Sequence, residues 1–251
     1  MSVRLHQSKA PDGMRIYAIG DVHGHLQLLR KLFDRIRQDL ENNPAAHYRI
    51  ILIGDYIDRG PDSAGCVEYL INLMEEDENI VCLRGNHEHN LDAFLNDPTY
   101  YAESYFTWGG KQCAESYGVS MASYNGTRRE VLQKCEELKC NIPKRHREFF
   151  ASLINSVTFG DYMFTHAGVR PGTALDKQTD DDLMWIRTEF LQHRGLYDKV
   201  IVHGHTPTYP MEILPNRINV DTHAYYTGIL SCIVLENKEH RVIDVSMHSN
   251  P

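Results

Sequence analysis

Three short strings in the first ninety residues constrain this chain more than anything else in it. They are Gly20-Asp21-Val22-His23-Gly24, Gly54-Asp55-Tyr56-Ile57-Asp58-Arg59-Gly60 and Arg84-Gly85-Asn86-His87-Glu88. Each sets carboxylate, imidazole or amide side chains among glycines, directly after an apolar run. Thr165-His166-Ala167-Gly168 and His203-Gly204-His205-Thr206-Pro207 repeat the pattern later in the chain. One such string would mean little, but five in succession at strand ends describe a site for two metal ions.

The runs before the first three strings, 15–20, 49–54 and 79–84, are rich in Ile, Val and Leu and predict buried strands. Helices are predicted after them: over 25–41, where Leu28, Leu29, Leu32, Phe33, Ile36 and Leu40 recur at helical spacing, over 62–76, and from about residue 87. Strand–loop–helix units of this length favour a mainly parallel sheet with helices outside. Ligands in such sheets gather at the carboxyl ends of the strands, where these strings fall. Residues 97–156 break the rhythm with an aromatic cluster over 100–108, a Gly-Gly pair and two helical stretches near 128–140 and 144–154. They read as a helical insertion, too short for a core of their own. The organisation expected is therefore one domain over 1–251, with a ligand-bearing βα core at 15–97, the insertion at 98–156, and further ligands and β segments over 157–251. In that last part strands are expected at 157–160, 162–166, 199–203, 211–214, 217–220, 228–235 and 240–246, and a helix over 180–191. Residues 1–14 read as a loose lead-in.

Composition narrows the function classes. The net charge of −8 argues against a general nucleic-acid or membrane-surface binder. The six cysteines form no CxxC pair, and none has Arg six positions later, so neither a disulfide framework nor a Cys-x5-Arg phosphatase loop is present. With no signal-like start and no long apolar run, a cytoplasmic protein is expected.

The ligand chemistry follows from residue types. Asp21 and His23 alternate by two, so in extended backbone both point to one side. Asp55 supplies a carboxylate that can bridge two cations through separate oxygens. Asn86, His166 and His205 add a neutral oxygen and two imidazoles, and such mixed ligands suit Mn²⁺, Fe or Zn²⁺ better than Ca²⁺ or Mg²⁺.

In this order the strings resemble those of the calcineurin-like metallophosphoesterases, specifically the phosphoprotein phosphatase branch and its small bacterial and phage serine/threonine phosphatases. The resemblance implies an α/β fold with two mixed sheets layered as a sandwich and flanked by helices. It implies two divalent metals per chain, Mn²⁺ first, with Asp21, His23 and Asp55 on one and Asp55, Asn86, His166 and His205 on the other. A metal-bridging hydroxide would then attack phosphorus in line, without a covalent phosphoenzyme. Asp58 and His87 form a plausible acid pair for protonating the leaving group. Arg59, Arg84 and, in Met184-Trp185-Ile186-Arg187, Arg187 are the phosphate-binding candidates.

The expected activity is hydrolysis of phosphoserine and phosphothreonine in proteins. A symmetrical dinucleoside tetraphosphate hydrolase is the alternative, and small phosphoesters are further candidate substrates. Asp58 and Glu88 tip the reading to the protein phosphatase, because the dinucleotide enzymes tend to depart from Asp-Arg-Gly and to carry Asp after Asn-His. A binding module without catalysis should lack a ligand or the acid, and none is missing. His25, His89, His193, His240 and His248 read as helix starts or polar surface, and the aromatic cluster as packing. One departure stands out: Asp221-Thr222-His223 occupies the place where relatives commonly carry Asp-Thr-Gly.

Overall fold

The computed structural model describes residues 2–247. Its strands are β1 (Met14–Ile19), β2 (His47–Leu52), β3 (Ile80–Cys82), β4 (Ser156–Phe159), β5 (Tyr162–Thr165), β6 (Val200–His203), β7 (Glu212–Ile213), β8 (Arg217–Asn219), β9 (Ile229–Glu236) and β10 (Glu239–Ser246). They form two five-stranded mixed sheets, ordered β10-β9-β1-β2-β3 and β4-β5-β6-β8-β7. β1, β2 and β3 run parallel and so do β5, β6 and β8, while β9 pairs antiparallel with both β1 and β10, β4 with β5, and β7 with β8.

The layering follows from the period of two along each strand. Ile16 and Ala18 of β1, Ile51 of β2, and Ile233 and Leu235 of β9 share a cluster with Phe164, Val200 and Val202 of the second sheet. The alternate residues Tyr17, Ile19, Ile50, Leu52 and Val234 pack with helices on the opposite face. Both faces of the inner strands are therefore apolar, so they read as unbroken hydrophobic runs. Helices α1 (Leu26–Asn42) and α2 (Ser63–Glu76) cover the outer face of the first sheet, burying Leu28, Leu29, Leu32, Phe33 and Ile36 from one, and Cys66, Val67 and Leu70 from the other. Asp62 caps α2 by accepting from the Gly65 N–H at 2.8 Å.

Further helices are α3 (Asn86–Asn96), α4 (Pro98–Tyr105), α5 (Lys111–Ser116), α6 (Arg128–Asn141) and α7 (Lys144–Ser152), then α8 (Asp180–Trp185), α9 (Thr188–Gln192) and the short α10 (Ala224–Thr227). Three expectations need correction. The helix expected over 180–191 is broken at Ile186 and Arg187, where ψ swings to 139° and then −87°. Residues 98–116 hold α4 and α5, joined by a wide turn at Phe106–Gly110 in which Gly109 has φ 108°. The lead-in is not loose: Val3 N–H donates to Tyr197 O and Leu5 N–H to Pro215 O, both at 2.8 Å, and Leu5, Ser8 and Ala10 are buried.

A polar knot ties β1 to α1 and β9. Buried Arg15 meets Glu236 at 2.9 Å and Asp39 at 3.3 Å, the Tyr17 hydroxyl donates to Asp39 at 2.5 Å, and Arg241 completes the cluster on Asp39. Burial alone would raise the Asp39 pKa; the bonds from Tyr17 and Arg241 and the charge of Arg15 outweigh it and hold the group below the ordinary carboxylate value. A depressed folded pKa means that this contribution is present above the unfolded value and is lost as pH falls through the folded one. Asp39→Asn is expected to cost about 1–3 kcal/mol at neutral pH and to flatten the decline of stability on the acid side. Urea unfolding at pH 7 and at stepped acid pH measures both.

Candidate active site

The strings converge at the carboxyl ends of β1, β2, β3, β5 and β6, and their backbone is unusual. Seven non-glycine residues among those described have positive φ, and six of them lie here: His23, Asp55, Asp58, Arg59, His205 and His223. Left-handed conformations cost an L-residue energy and persist where surrounding bonds over-determine them. Much of that constraint comes from Glu88. Its buried carboxylate accepts from the N–H groups of Asp55 (2.9 Å), Tyr56 (2.8 Å), Gly85 (3.0 Å) and Ile57 (3.3 Å), locking the second string to the third. Gly85 is needed for the same approach, since a Cβ there would fall on the Asp55 carboxylate.

Asp55 sits at the centre. Its Oδ1 faces His166 Nε2 at 3.4 Å; its Oδ2 faces His23 Nε2 at 3.6 Å and His87 Nε2 at 3.8 Å. Two compact donor groups result, His23–Asp55–His87 and Asp55–His166–His205, with Asp55 common to both. Asn86 Oδ1 joins the second, 2.9 Å from His166 Nε2 and 2.7 Å from His205 Nδ1. Asp21 lies alongside: its Oδ2 accepts from the His205 N–H at 3.1 Å, and its buried Oδ1 has no partner.

This donor set fits divalent cations. His166 Nδ1 donates to Ile53 O and His23 Nδ1 to Ile57 O, so in each ring the inward-facing Nε2 carries a lone pair. His166 Nε2 then faces the Asn86 and Asp55 oxygens, a meeting of acceptors that only a cation or a proton relieves. Burial lowers the pKa of His166 to about 3 and drives those of His23 and His205 well down, keeping the imidazoles neutral. Burial, together with the neighbouring carboxylates, raises Asp21. Burial also raises Asp55, pushes Asp221 to about 7 and pushes Glu88 to about 8. So many enclosed acids resist ionisation unless positive charge joins them.

The groups open onto a cavity of about 390 Å³ whose wall includes Arg59, Arg187, Trp108, Trp185, Tyr225 and Asp221. His87 Nδ1 and Asp58 Oδ2 are 2.7 Å apart, and Asp58 is wholly enclosed. Burial raises the Asp58 carboxyl and lowers the His87 imidazole to about 4. Arg59 bonds Tyr225, lies 4.5 Å from that ring's centre, and approaches His87 Nε2 at 3.5 Å. Arg187 Nη1 donates to Thr206 Oγ1 at 3.0 Å, and the break between α8 and α9 is what lets Trp185 and Arg187 both reach the cavity.

Arg84 is a correction. It lines a separate groove with Leu91, Arg147 and Phe150 and reaches Asp92 at 3.4 Å, because its backbone N–H is tied to Ile154 O on the far side of the string. It is no longer a phosphate-binding candidate. His203 is a core residue packed on Phe190, and His248 lies outside the described residues. His223 adopts φ 64°, the conformation a glycine would take there. Sequence reasoning missed Asp221 and the structural part of Glu88. Asp221 stood in the string read only for His223.

Residues 14–233 match the model of the calcineurin-like phosphoesterases. The chain belongs to that family. The fold agrees with a solved structure provisionally named a diadenosine tetraphosphatase, with TM-score 0.62 and 19% identity over 94% of this chain and 98% of that one. Among curated relatives, the asymmetrical bis(5'-nucleosyl)-tetraphosphatase PrpE of Oceanobacillus iheyensis is 26% identical over 90% of both chains. The symmetrical bis(5'-nucleosyl)-tetraphosphatase of Pseudomonas fluorescens is 39% identical, but over only 33% of this chain and 26% of its own length. The expectation of a serine/threonine protein phosphatase is overturned by these relatives, which are named for dinucleotide hydrolysis. Glu88 explains the error physically: it faces backbone amides, not the cavity, so Glu rather than Asp here reports on loop packing and says nothing of substrate.

In this calcineurin-like phosphoesterase Glu88→Ala leaves several buried N–H groups unpaired. A loss of about 2–5 kcal/mol is expected, with Glu88→Gln retaining part of it. Chemical unfolding of both variants checks the ranking.

Proposed function

We propose that the chain is a divalent-metal-dependent hydrolase of dinucleoside polyphosphates that cuts asymmetrically. The observation that carries this is the likeness to PrpE of Oceanobacillus iheyensis over nine-tenths of both chains, where the symmetrical enzymes align over a third to about half of this one. The cavity suits a polyphosphate, with Arg59 and Arg187 on its wall to receive phosphate oxygens.

Asp21, His23, Asp55, Asn86, His166 and His205 would hold the metal ions, Mn²⁺ ahead of Fe or Zn²⁺. Bound there, the ions would polarise phosphate oxygens and acidify water. Arg59, steadied by the Tyr225 ring and hydroxyl, orients the phosphate chain from one side. Arg187, tethered to Thr206, does so from the other. Burial lowers His87 and raises Asp58, so the pair shares one proton across 2.7 Å, and a phosphate dianion beside His87 in the cavity would favour its imidazolium as the proton donor. A nucleotide phosphate leaves as a weakly basic anion and needs that proton little, whereas an alkoxide needs it badly.

Diadenosine tetraphosphate supplied with Mn²⁺ should be converted to AMP and ATP, separated by ion-exchange chromatography, with loss of turnover on chelation. Two ADP as the sole product would overturn the asymmetrical mode. Steady turnover of p-nitrophenyl phosphate with an untouched dinucleotide would overturn the substrate class. His87→Asn should slow glycerol phosphate hydrolysis by about 10²-fold or more, yet slow the dinucleotide by less than about tenfold. Equal losses in kcat on the two substrates would contradict the proton-holding role.

A further inference from the structure

We infer that the groove adjoining the metal-binding cavity is a nucleobase subsite, a conclusion that rests on the dinucleotide reading above. The groove, about 530 Å³, lies between α3, α4 and the Trp108–Trp185 pair, and it shares those two tryptophans with the cavity that holds the candidate ligands. A ligand whose phosphates fill the cavity therefore runs directly into it.

The lining has the chemistry of base recognition. Trp108 and Trp185 lie 5.4 Å apart between ring centres, and His89 packs edge-on to Trp185 at 6.0 Å. Tyr100 is 75% exposed and Trp108 37%, whereas Tyr105 and Phe106 of the same cluster are buried in the core. Flat π faces left open beside a phosphate site are stacking platforms that accept any base. The polar component is independent of the aromatic one. Asn90 lines the groove with only 3% of its surface exposed; its Oδ1 accepts from Ser104 at 3.1 Å, and its Nδ2 has no partner. His89 Nδ1, in the same wall, also lacks one. A buried amide with unused donors is costly in isolation, and an Asn amide pairs naturally with the N7 and N6 atoms of adenine.

Helix α3 fixes the spacing. Asn86 faces the metal-binding groups and Asn90 follows one turn later, a rise of about 6 Å, the scale of the ribose between a phosphate and its base. The segment carrying Trp108 is held against the site as well, since the Arg59 N–H donates to Gly109 O at 3.1 Å.

The test uses the chain's own fluorophores, because its two tryptophans are Trp108 and Trp185. Emission of the full chain is followed at the red edge of the indole band, where adenine does not absorb, while adenosine is added. Saturable quenching is expected, with ribose 5-phosphate and inorganic phosphate leaving the emission unchanged. Tyr100→Ala, at an exposed position, and Asn90→Leu, checked for folding by circular dichroism, should each weaken adenosine binding about tenfold. No saturable response to adenosine would overturn the inference, and so would a response that both folded variants retain in full. Adenosine carries no phosphate, so this readout is separate from hydrolysis. Dinucleotide turnover without adenosine quenching sinks the subsite alone, and quenching without turnover sinks the dinucleotide reading alone.

Discussion

The arrangement of buried charge around Asp55 is the constraint on which the rest of this structure depends. Asp21, Asp55, Asp58, Glu88 and Asp221 are enclosed within a few loops, beside three imidazoles that burial keeps neutral. Such a cluster repels itself and would unfold the strand ends if nothing opposed it. Two things oppose it. Backbone N–H groups from two loops converge on Glu88, and the remaining lone pairs converge on two points sharing Asp55, where a cation would meet them. The left-handed residues, the glycines without room for a Cβ and the parallel strand ends all serve that convergence.

How much of this was legible in the sequence depended on how local the information was. Asp21, His23, Asp55, Asn86, His166 and His205 each lie in a contiguous string after an apolar run, and strand ends deliver such strings to one edge of a sheet. The helices α1, α2, α6 and α7 were readable because their apolar spacing is their own. Asp221 was not readable as a neighbour of Asp21, because that contact arises only once β9 has paired antiparallel with β1 and β8 with β6. Arg84 failed for a related reason. Its string is adjacent to the site, but a single backbone bond to Ile154 fixes which side of the loop it leaves from. Residue type identifies the chemistry available, and tertiary pairing decides which way it points.

The substrate was misread where an inward-facing residue stood as evidence about an outward-facing property. Glu88 and Asp58 are both wholly or nearly wholly buried, one holding amides and the other holding His87. Neither faces what the cavity admits, so neither could discriminate a phosphoprotein from a dinucleotide. Arg187, Trp185 and Trp108 do line the open cavity, and they come from a helix break and a wide turn with no simple periodic signature.

That turn joins the fold to the substrate question. An aromatic cluster at 100–108 reads as packing, and half of it is: Phe94 stacks on Tyr105 at 4.5 Å and Phe106 packs at 5.1 Å, anchoring α4 to α3. The same helical spacing that buries Tyr105 turns Tyr100 outward, and the turn at left-handed Gly109 is held by the Arg59 N–H donating to Gly109 O. The buried half supplies the rigidity and the open half the contact surface, so one short insertion both closes a core and extends the metal-binding cavity. A large exposed aromatic face costs solvation wherever it stands. Its position beside the metal-binding cavity, with Trp108 and Trp185 common to both, gives that cost a use only if the ligand is longer than a phosphate.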